Sequence, residues 1–276
     1  MLTPREITEE LNQRGYSDVR LDDVVKNGVH YTGLSIRSSN SHVSPCVYID
    51  EMCRNLNDPA IAADSIEEML RNNPFPLDLD INRICSKEFI LKNVHIAVQR
   101  TSTQDLIRRD TEFKGIEQYC FVQNTLDEMI WSFKLRPYHL IAGSISVEEL
   151  WAAAERNTYS EQEFRICSMG DIFKEMTGSN PPQGSRLSPE MFVLTNPRKM
   201  HGAVQIFNRP ELEKWADETG FRRLIVIPSS LHEVILIPRD VSMTDLLPFN
   251  AMVRHVNRQE VNEEDQLADH VYELEL

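Results

Sequence analysis

Residues 224–237 read Leu-Ile-Val-Ile-Pro-Ser-Ser-Leu-His-Glu-Val-Ile-Leu-Ile, and they give the clearest indication of the fold of the C-terminal half. It contains two aliphatic runs separated by a polar segment that begins at Pro228. Both runs are rich in β-branched residues and too apolar to face water on either side, as is typical of central strands. We therefore predict two adjacent antiparallel strands in the middle of a sheet, joined by a polar connection over residues 228–233.

The neighbouring sequence predicts the other elements of this half. They are strands at 191–194 and 202–207, a helix at 210–219 that Gly220 ends, and a helix from about residue 244. The last helix is expected to bury Phe249, Met252, Val253 and Val256. The resulting order, β-β-α-β-β-α, predicts an α+β fold with mixed, mainly antiparallel sheets and packed helices.

The N-terminal sequence also contains strong local signals. Thr3 and Glu6 have the spacing of a capping box, with Pro4 at the first helical position. Asn27-Gly28 lies between two apolar-rich runs and predicts a tight hairpin turn, because both central residues of such a turn need a positive φ. This region is therefore expected to combine a helix with a small antiparallel sheet.

Two segments are candidates for boundaries in this chain of 276 residues. Residues 177–185 have no apolar side chain, so we predict an N-terminal α+β region at 1–176 and a C-terminal α+β domain with an acidic tail at 186–276. A proline-bearing stretch at 72–80 marks a further boundary within the first region.

The charge and cysteine content restrict the partners and the compartment. A net charge of −14 argues against direct binding to nucleic acid, since a polyanion would be repelled. No stretch is apolar enough to predict a membrane span, and the five cysteines include no C-x-x-C pair. We therefore expect a cytoplasmic protein with reduced thiols and no cofactor.

Several blocks of the sequence resemble the signature blocks of a bacterial family of unknown function. They are MFVLTN at 191–196, IPSSLHEVI at 227–235, MVRHVN at 252–257 and LADHVY at 267–272, with N-terminal counterparts at Asn27-Gly28, 33–36 and 43–48. The family is widespread in anaerobic gut bacteria of the clostridial kind. The resemblance implies a bacterial or phage-borne cytoplasmic protein, found as scattered copies on mobile DNA, and it implies no particular activity.

The polar connection at 228–233 contains the main catalytic candidates. In an extended segment Ser230 and His232 point to the same face, as a nucleophile and its base would require, while Glu233 points to the other. A third member, such as Asp269, would then have to come from elsewhere. The alternative, which is the commoner case, is a polar turn between two buried strands.

His232 and Glu233 could also form a metal site together with Asp269 and His270, because two imidazoles and two carboxylates suit zinc or iron. The chain has no H-E-x-x-H motif, and a histidine next to an acid is common in a chain with 43 acidic residues. A structural role for these residues is therefore the favoured interpretation.

Near the C-terminus lies a run of acidic residues, Glu260, Glu263, Glu264 and Asp265. Such a run is usually a solvated surface, and its functional interpretation is a docking surface for a basic partner. We therefore predict a non-enzymatic module that works through protein–protein contacts. The alternative is a small hydrolase that uses Ser230 and His232.

Overall fold

The computed structural model describes residues 1–36, 44–72, 80–126, 129–179, 190–240 and 245–276. The chain forms two compact units, Met1–Ile84 and Cys85–Leu276. This division lies close to the boundary predicted at residues 72–80. The main boundary that the sequence predicts is at residues 177–187, of which 180–187 lie outside the described residues.

The first unit combines helices with a three-stranded antiparallel sheet in the order β1-β2-β3. Its elements are α1 (Pro4–Gln13), β1 (Val19–Lys26), β2 (Val29–Ile36), β3 (Cys46–Tyr48), α2 (Asp50–Asn55), α3 (Pro59–Asn72) and α4 (Ile81–Ile84). The buried core side chains are Leu2, Ile7, Leu11, Leu34, Ile49, Ala62, Ala63 and Ile66.

Local signals at the start of this unit act as predicted. Thr3 caps helix α1, because its hydroxyl oxygen accepts a hydrogen bond from the Glu6 N–H and its own N–H donates to the Glu6 carboxylate. Asn27 and Gly28 have φ values of 47° and 84°, so they form the tight turn that pairs β1 with β2. These features need only neighbouring residues, and the sequence predicts them correctly.

The second unit contains two antiparallel sheets that share a large hydrophobic core with several helices. Its first half consists of α5 (Lys87–Asn93), β4 (Val94–Arg100), β5 (Arg108–Asp110), β6 (Ile116–Leu126), β7 (Met129–Lys134), α6 (Pro137–Gly143), α7 (Val147–Thr158), a 3₁₀ helix (Glu161–Glu163), β8 (Arg165–Ser168) and α8 (Met169–Thr177). Its second half consists of β9 (Phe192–Thr195), a 3₁₀ helix (Gly202–Phe207), α9 (Arg209–Thr219), β10 (Arg223–Ile227), β11 (Val234–Pro238), α10 (Leu247–Glu260), a 3₁₀ helix (Glu263–Asp265) and β12 (Tyr272–Glu275).

The five-stranded sheet of this unit has the order β12-β10-β11-β9-β8. Strands β10 and β11 are adjacent, antiparallel and internal to the sheet, which confirms the prediction made from residues 224–237. Strand β8 pairs with β9, so the strands on either side of residues 180–189 belong to one sheet. A separate domain that begins at residue 186 would lack the edge strand of its own sheet.

The α+β class with mainly antiparallel sheets is confirmed, since the strand pairs of the described residues are antiparallel. The second predicted strand of the C-terminal half is wrong, since Gly202–Phe207 is a 3₁₀ helix. Five of its six residues are buried, and a short apolar run of this kind does not distinguish a strand from a buried helical turn.

Helix α10 buries a narrower face than the sequence predicts. Val253 is buried and Phe249 packs partly on the core, but Met252 and Val256 are 42% and 39% exposed. The polar Asn257 is buried instead, because its side-chain amide donates to the Ala268 carbonyl at 2.9 Å. A buried amide with such a partner avoids the cost of desolvation that an unpaired one would carry.

Within the described residues, no helix is both long and apolar enough to cross a lipid bilayer.

Candidate functional site

The connection between β10 and β11 is a turn held by backbone hydrogen bonds. The Ser229 N–H donates to the Ile227 carbonyl, and the Ser230 N–H donates to the Glu233 carbonyl at 3.1 Å. The Leu231 N–H donates to the Asp265 carbonyl at 2.8 Å, which joins the turn to the 3₁₀ helix Glu263–Asp265. The polar residues between the two core strands therefore satisfy backbone groups, as in the turn interpretation.

Ser230 contacts His232 through the main chain rather than through the imidazole ring. The Ser230 hydroxyl oxygen accepts a hydrogen bond from the His232 N–H at 3.0 Å. The His232 carbonyl in turn accepts a hydrogen bond from the Thr195 hydroxyl at 2.7 Å. A nucleophilic serine would instead need its hydroxyl within hydrogen-bond reach of an imidazole nitrogen that can act as base.

Both nitrogens of the His232 ring face partners within the fold. Nδ1 accepts a hydrogen bond from the His201 N–H at 3.2 Å, so the proton of the neutral ring lies on Nε2. Nε2 is 3.4 Å from the Asp265 carboxylate. In this arrangement the ring connects the β10–β11 turn, the loop after β9 and the acidic 3₁₀ helix, and neither nitrogen is left to activate Ser230.

The other predicted catalytic and metal-binding residues have separate contacts within the fold. The Glu233 carbonyl closes the turn, and the Asp269 carboxylate accepts a hydrogen bond from the Asn257 amide of α10 at 3.2 Å. His270 is exposed, with its ring 4.6 Å from that of Tyr272. In the described part of the chain, no group of three or more His, Cys, Asp or Glu side chains is placed to hold a metal ion. The structure therefore does not bring the four candidate ligands together.

His201 is the central residue that the sequence did not reveal. Its backbone adopts a left-handed conformation with a φ of 55°, and its ring lies 5.1 Å from the Phe121 ring and 5.9 Å from the His232 ring. Burial lowers the pKa of His201 to about 4, with additional effects from the nearby His232 and Lys134, so the ring is neutral at pH 7. Among the described residues, its Nδ1 is buried without a hydrogen-bond partner.

Gly202 makes the close contact that holds this loop. A Cβ atom at this position would lie 2.6 Å from the His232 carbonyl oxygen and 2.7 Å from the Asn196 nitrogen, distances that side chains do not tolerate. Only glycine therefore allows the chain after His201 to pass against the β10–β11 turn.

A small pocket opens beside His201 in the second unit. Its lining residues are His95, Ile96, Phe121, Gln123, Thr158, Glu163, Asn196, Arg198, Met200, His201, Val204 and Gln205. Arg198 and Glu163 form an ion pair of 3.0 Å there. Burial lowers the pKa of His95, and the positive charge of Arg198 adds to this effect. The pocket is thus lined by two neutral imidazoles and by one ion pair, that of Arg198 with Glu163.

A buried carboxylate, Glu117 on β6, is a second feature that sequence reasoning missed. Its side chain accepts hydrogen bonds from Gln99 at 2.7 Å, Arg108 at 2.7 Å and Ser102 at 2.9 Å. Burial alone would raise the pKa of Glu117, but these hydrogen bonds outweigh burial and lower it. The carboxylate is therefore ionised and well paired, and it ties the loop after β4 to the sheet.

A family model for a family of unknown function, DUF5688, matches residues 4–275. The chain belongs to the DUF5688 family. No match was found among curated proteins or among solved structures. The match confirms the prediction that the chain belongs to a family of unknown function.

In this DUF5688 chain, two of the four residues of the acidic run are exposed and the other two are partly buried. Glu260 and Glu263 are exposed, Glu264 is half-buried, and Asp265 faces inward to His232. Asp265 also accepts the Leu231 N–H through its carbonyl, so it serves the β10–β11 turn. A docking surface can therefore use Glu260 and Glu263, whereas Asp265 has a structural role.

Proposed function

We propose that the protein is a non-enzymatic binding module, with an acidic surface that docks on a basic protein partner. The observation that carries this proposal is the outward ridge of α10. Met252, Val256 and Glu260 are spaced four residues apart, so they lie on one face of the helix, and all three are exposed. Exposed Glu263 follows just beyond the helix end.

This ridge has the composition of a protein-binding surface. Apolar side chains supply contact area at the centre of interfaces, and charged groups at the rim guide the approach of the partner. The chain carries a net charge of −14, which favours a partner of opposite sign. The contacts of Ser230 and His232 within the turn support the binding proposal over hydrolysis.

The test compares two charge-neutralised variants of equal charge. One carries Glu260→Gln and Glu263→Gln at the ridge, and the control carries Glu213→Gln and Glu218→Gln on the exposed side of α9. Chemical crosslinking in the native host with mass spectrometry identifies the partner and the crosslinked positions, and the dissociation constant is then measured with purified proteins.

The ridge variant is expected to bind about tenfold more weakly than wild type at low salt, and the difference should shrink as salt is added. The α9 control should bind like wild type. Equal binding by the ridge variant, or crosslinks confined to other surfaces, would contradict the proposal.

We further propose that the protein works in the reducing cytoplasm of an anaerobic bacterium of the clostridial kind and that its gene is carried on mobile DNA. All five cysteines are free thiols, which supports a reducing compartment. Alkylation in intact cells should modify exposed Cys46 and leave buried Cys120 unmodified until unfolding. Recovery from an extracellular or envelope fraction would contradict the location, and a fixed genomic position across strains would contradict mobility.

A further inference from the structure

Strand β7 is an open edge of the sheet formed by β4, β5, β6 and β7. Among the described residues it pairs only with β6. The Leu135 N–H, just after the strand, donates to the Cys120 carbonyl of β6, so alternate residues of β7 direct their backbone groups to β6. The N–H and C=O groups of Ile130 and Ser132 therefore point away from the sheet, and within the described chain they have no hydrogen-bond partner.

The opposite edge of the same sheet is covered. On β4, the outward N–H of Ile96 donates to the Thr158 hydroxyl at 2.9 Å, and the Val94 carbonyl accepts a hydrogen bond from the Asn157 amide at 2.8 Å. Exposed edge strands usually carry charges, proline or a bulge, which prevent pairing with another chain. Residues 130–133 of β7, Ile-Trp-Ser-Phe, contain no charge and no proline, and their register with β6 has no bulge. This edge is therefore able to accept a further strand.

Strand β7 is complementary to a second copy of itself in an antiparallel register centred on Ser132. Because the Ser132 N–H and C=O both point outward, two copies of this residue can exchange a reciprocal pair of hydrogen bonds across a two-fold axis. The same register sets Ile130 against Lys134 of the second copy, so it opposes no like charges between these residues. It also sets Trp131 against Phe133 of the second copy at a non-hydrogen-bonded position, where cross-strand side chains are closest.

The aromatic side chains at this edge suit such pairing. The Trp131 and Phe133 rings stack at a centroid distance of 6.1 Å, and the Phe89 ring stacks on the other side of Trp131 at 6.0 Å. All three residues are only partly buried, and Ile130, on the opposite face of the strand, is 48% exposed. A second copy would cover apolar surface on both faces of the strand, and cross-strand aromatic pairs stabilise antiparallel strands.

We propose that two copies of the chain associate through β7, so that their four-stranded sheets join into one continuous sheet. The dimer uses residues other than those of the α10 ridge, so it is independent of the proposed docking function. Only about five residues of each strand pair, and such a small interface should give a dissociation constant of about 10–100 µM. Because each copy has a net charge of −14, added salt should strengthen the dimer, whereas it weakens docking at the ridge.

The test measures dimerisation of the full chain by sedimentation velocity at about 1–500 µM. Ile130→Lys should weaken the dimer at least about tenfold, because it places an ammonium group against Lys134 of the second copy on both sides of the axis. Ile130→Glu places a carboxylate there and should dimerise within about twofold of wild type. The net charge alone would predict the opposite order. Ile61→Lys, the same change at an isoleucine of α3 that is 51% exposed, should behave like wild type.

Ser132→Cys tests the register directly. Two residues at a hydrogen-bonded antiparallel position have Cα atoms about 5.5 Å apart, which a disulfide can span. Oxidation with diamide should therefore crosslink two copies of this variant through position 132, as located by mass spectrometry of the digested dimer. Ser17→Cys, at an exposed site of the first unit, should give only the background crosslinking of the five native thiols.

A wild type that stays monomeric at about 500 µM would overturn the proposal, and so would a dimer that Ile130→Lys leaves unchanged. Circular dichroism checks that each variant is folded. If Ile130→Lys does not fold, the crosslink decides: a disulfide through position 132 supports pairing at β7, and its absence in Ser132→Cys overturns it.

Discussion

Replacing His232 with alanine is expected to destabilise the second unit by about 2–3 kcal/mol. The main part comes from the His201 N–H, which would lose its acceptor at 3.2 Å, at a cost of about 1–3 kcal/mol. The contact of Nε2 with Asp265 is 3.4 Å long and its side chains are 37% and 25% exposed, so it adds less than about 1 kcal/mol.

Two further substitutions at His232 separate its two nitrogens. His232→Asn places an oxygen near the position of Nδ1 and can still accept the His201 N–H, so it should recover most of the lost stability. His232→Gln extends its polar group toward the position of Nε2 and should be no better than alanine. Ser230→Ala removes a single acceptor for the His232 N–H and should cost about 0.5–1.5 kcal/mol.

Urea unfolding followed by tryptophan fluorescence measures these differences. All three tryptophans, at positions 131, 151 and 215, belong to the second unit, so the signal reports its unfolding directly. A loss below about 0.5 kcal/mol for His232→Ala, or rescue by glutamine instead of asparagine, would refute the structural role of Nδ1. Turnover of an ester or amide by wild type that both alanine variants lose while folded would support the hydrolase alternative.

Four other predictions follow from the described contacts. His201→Phe should reduce the loss of stability in acid. The pKa of His201 is about 4 in the folded chain and about 6.5 in the unfolded chain, so acid protonates the unfolded chain first and favours unfolding. Wild type should therefore lose about 3 kcal/mol more than the variant between pH 6.5 and 4 in urea titrations, and parallel pH curves would contradict this. Glu117→Gln should cost about 1–3 kcal/mol in the same assay, because the amide nitrogen that replaces one oxygen of the buried carboxylate cannot accept the hydrogen bond made there. A neutral effect would show that the charge of Glu117 adds nothing to stability. Ile235→Ala should cost only about 1–2 kcal/mol because Ile235 is half-buried, whereas Leu236→Ala should cost about 2–5 kcal/mol because Leu236 is fully buried. The reverse order would contradict the burial of these two side chains. Residues 180–276 expressed alone should give the NMR spectrum of an unfolded chain, because β9 lacks the hydrogen bonds and packing of its partner strand β8. The fragment should fold on mixing with residues 1–179. A folded isolated fragment would instead support the boundary at 177–187.

The imidazole at the centre of the site could not be predicted from the residues around it in the sequence. His201 follows Met200 and precedes Gly202 without any motif, and its burial depends on Phe121, which lies on β6 far away in the chain. The sequence does indicate His232 as a candidate, because it lies in the polar connection between two aliphatic runs. Its role as a hydrogen-bond acceptor became clear only with the position of the His201 N–H.

The amino-acid sequence alone predicts the features that depend on a few neighbouring residues. Thr3 and Glu6 form their capping box, Asn27-Gly28 forms its turn, and the aliphatic runs at 224–227 and 234–237 pair as internal strands. The energies that decide these features come from backbone dihedral preferences, from local hydrogen bonds and from the burial of consecutive apolar side chains. Each of these can be read within a window of about a dozen residues.

Which surfaces those elements bury or expose depends on contacts between distant parts of the chain. It made Gly202–Phe207 a 3₁₀ helix, left Met252 exposed while burying Asn257, and joined β8 to β9 in one sheet. In each case the deciding partner, such as the Ala268 carbonyl for Asn257, is brought close by the fold rather than by the sequence. A polar side chain is buried where such a partner compensates its lost hydration, and an apolar one stays exposed where no element packs against it.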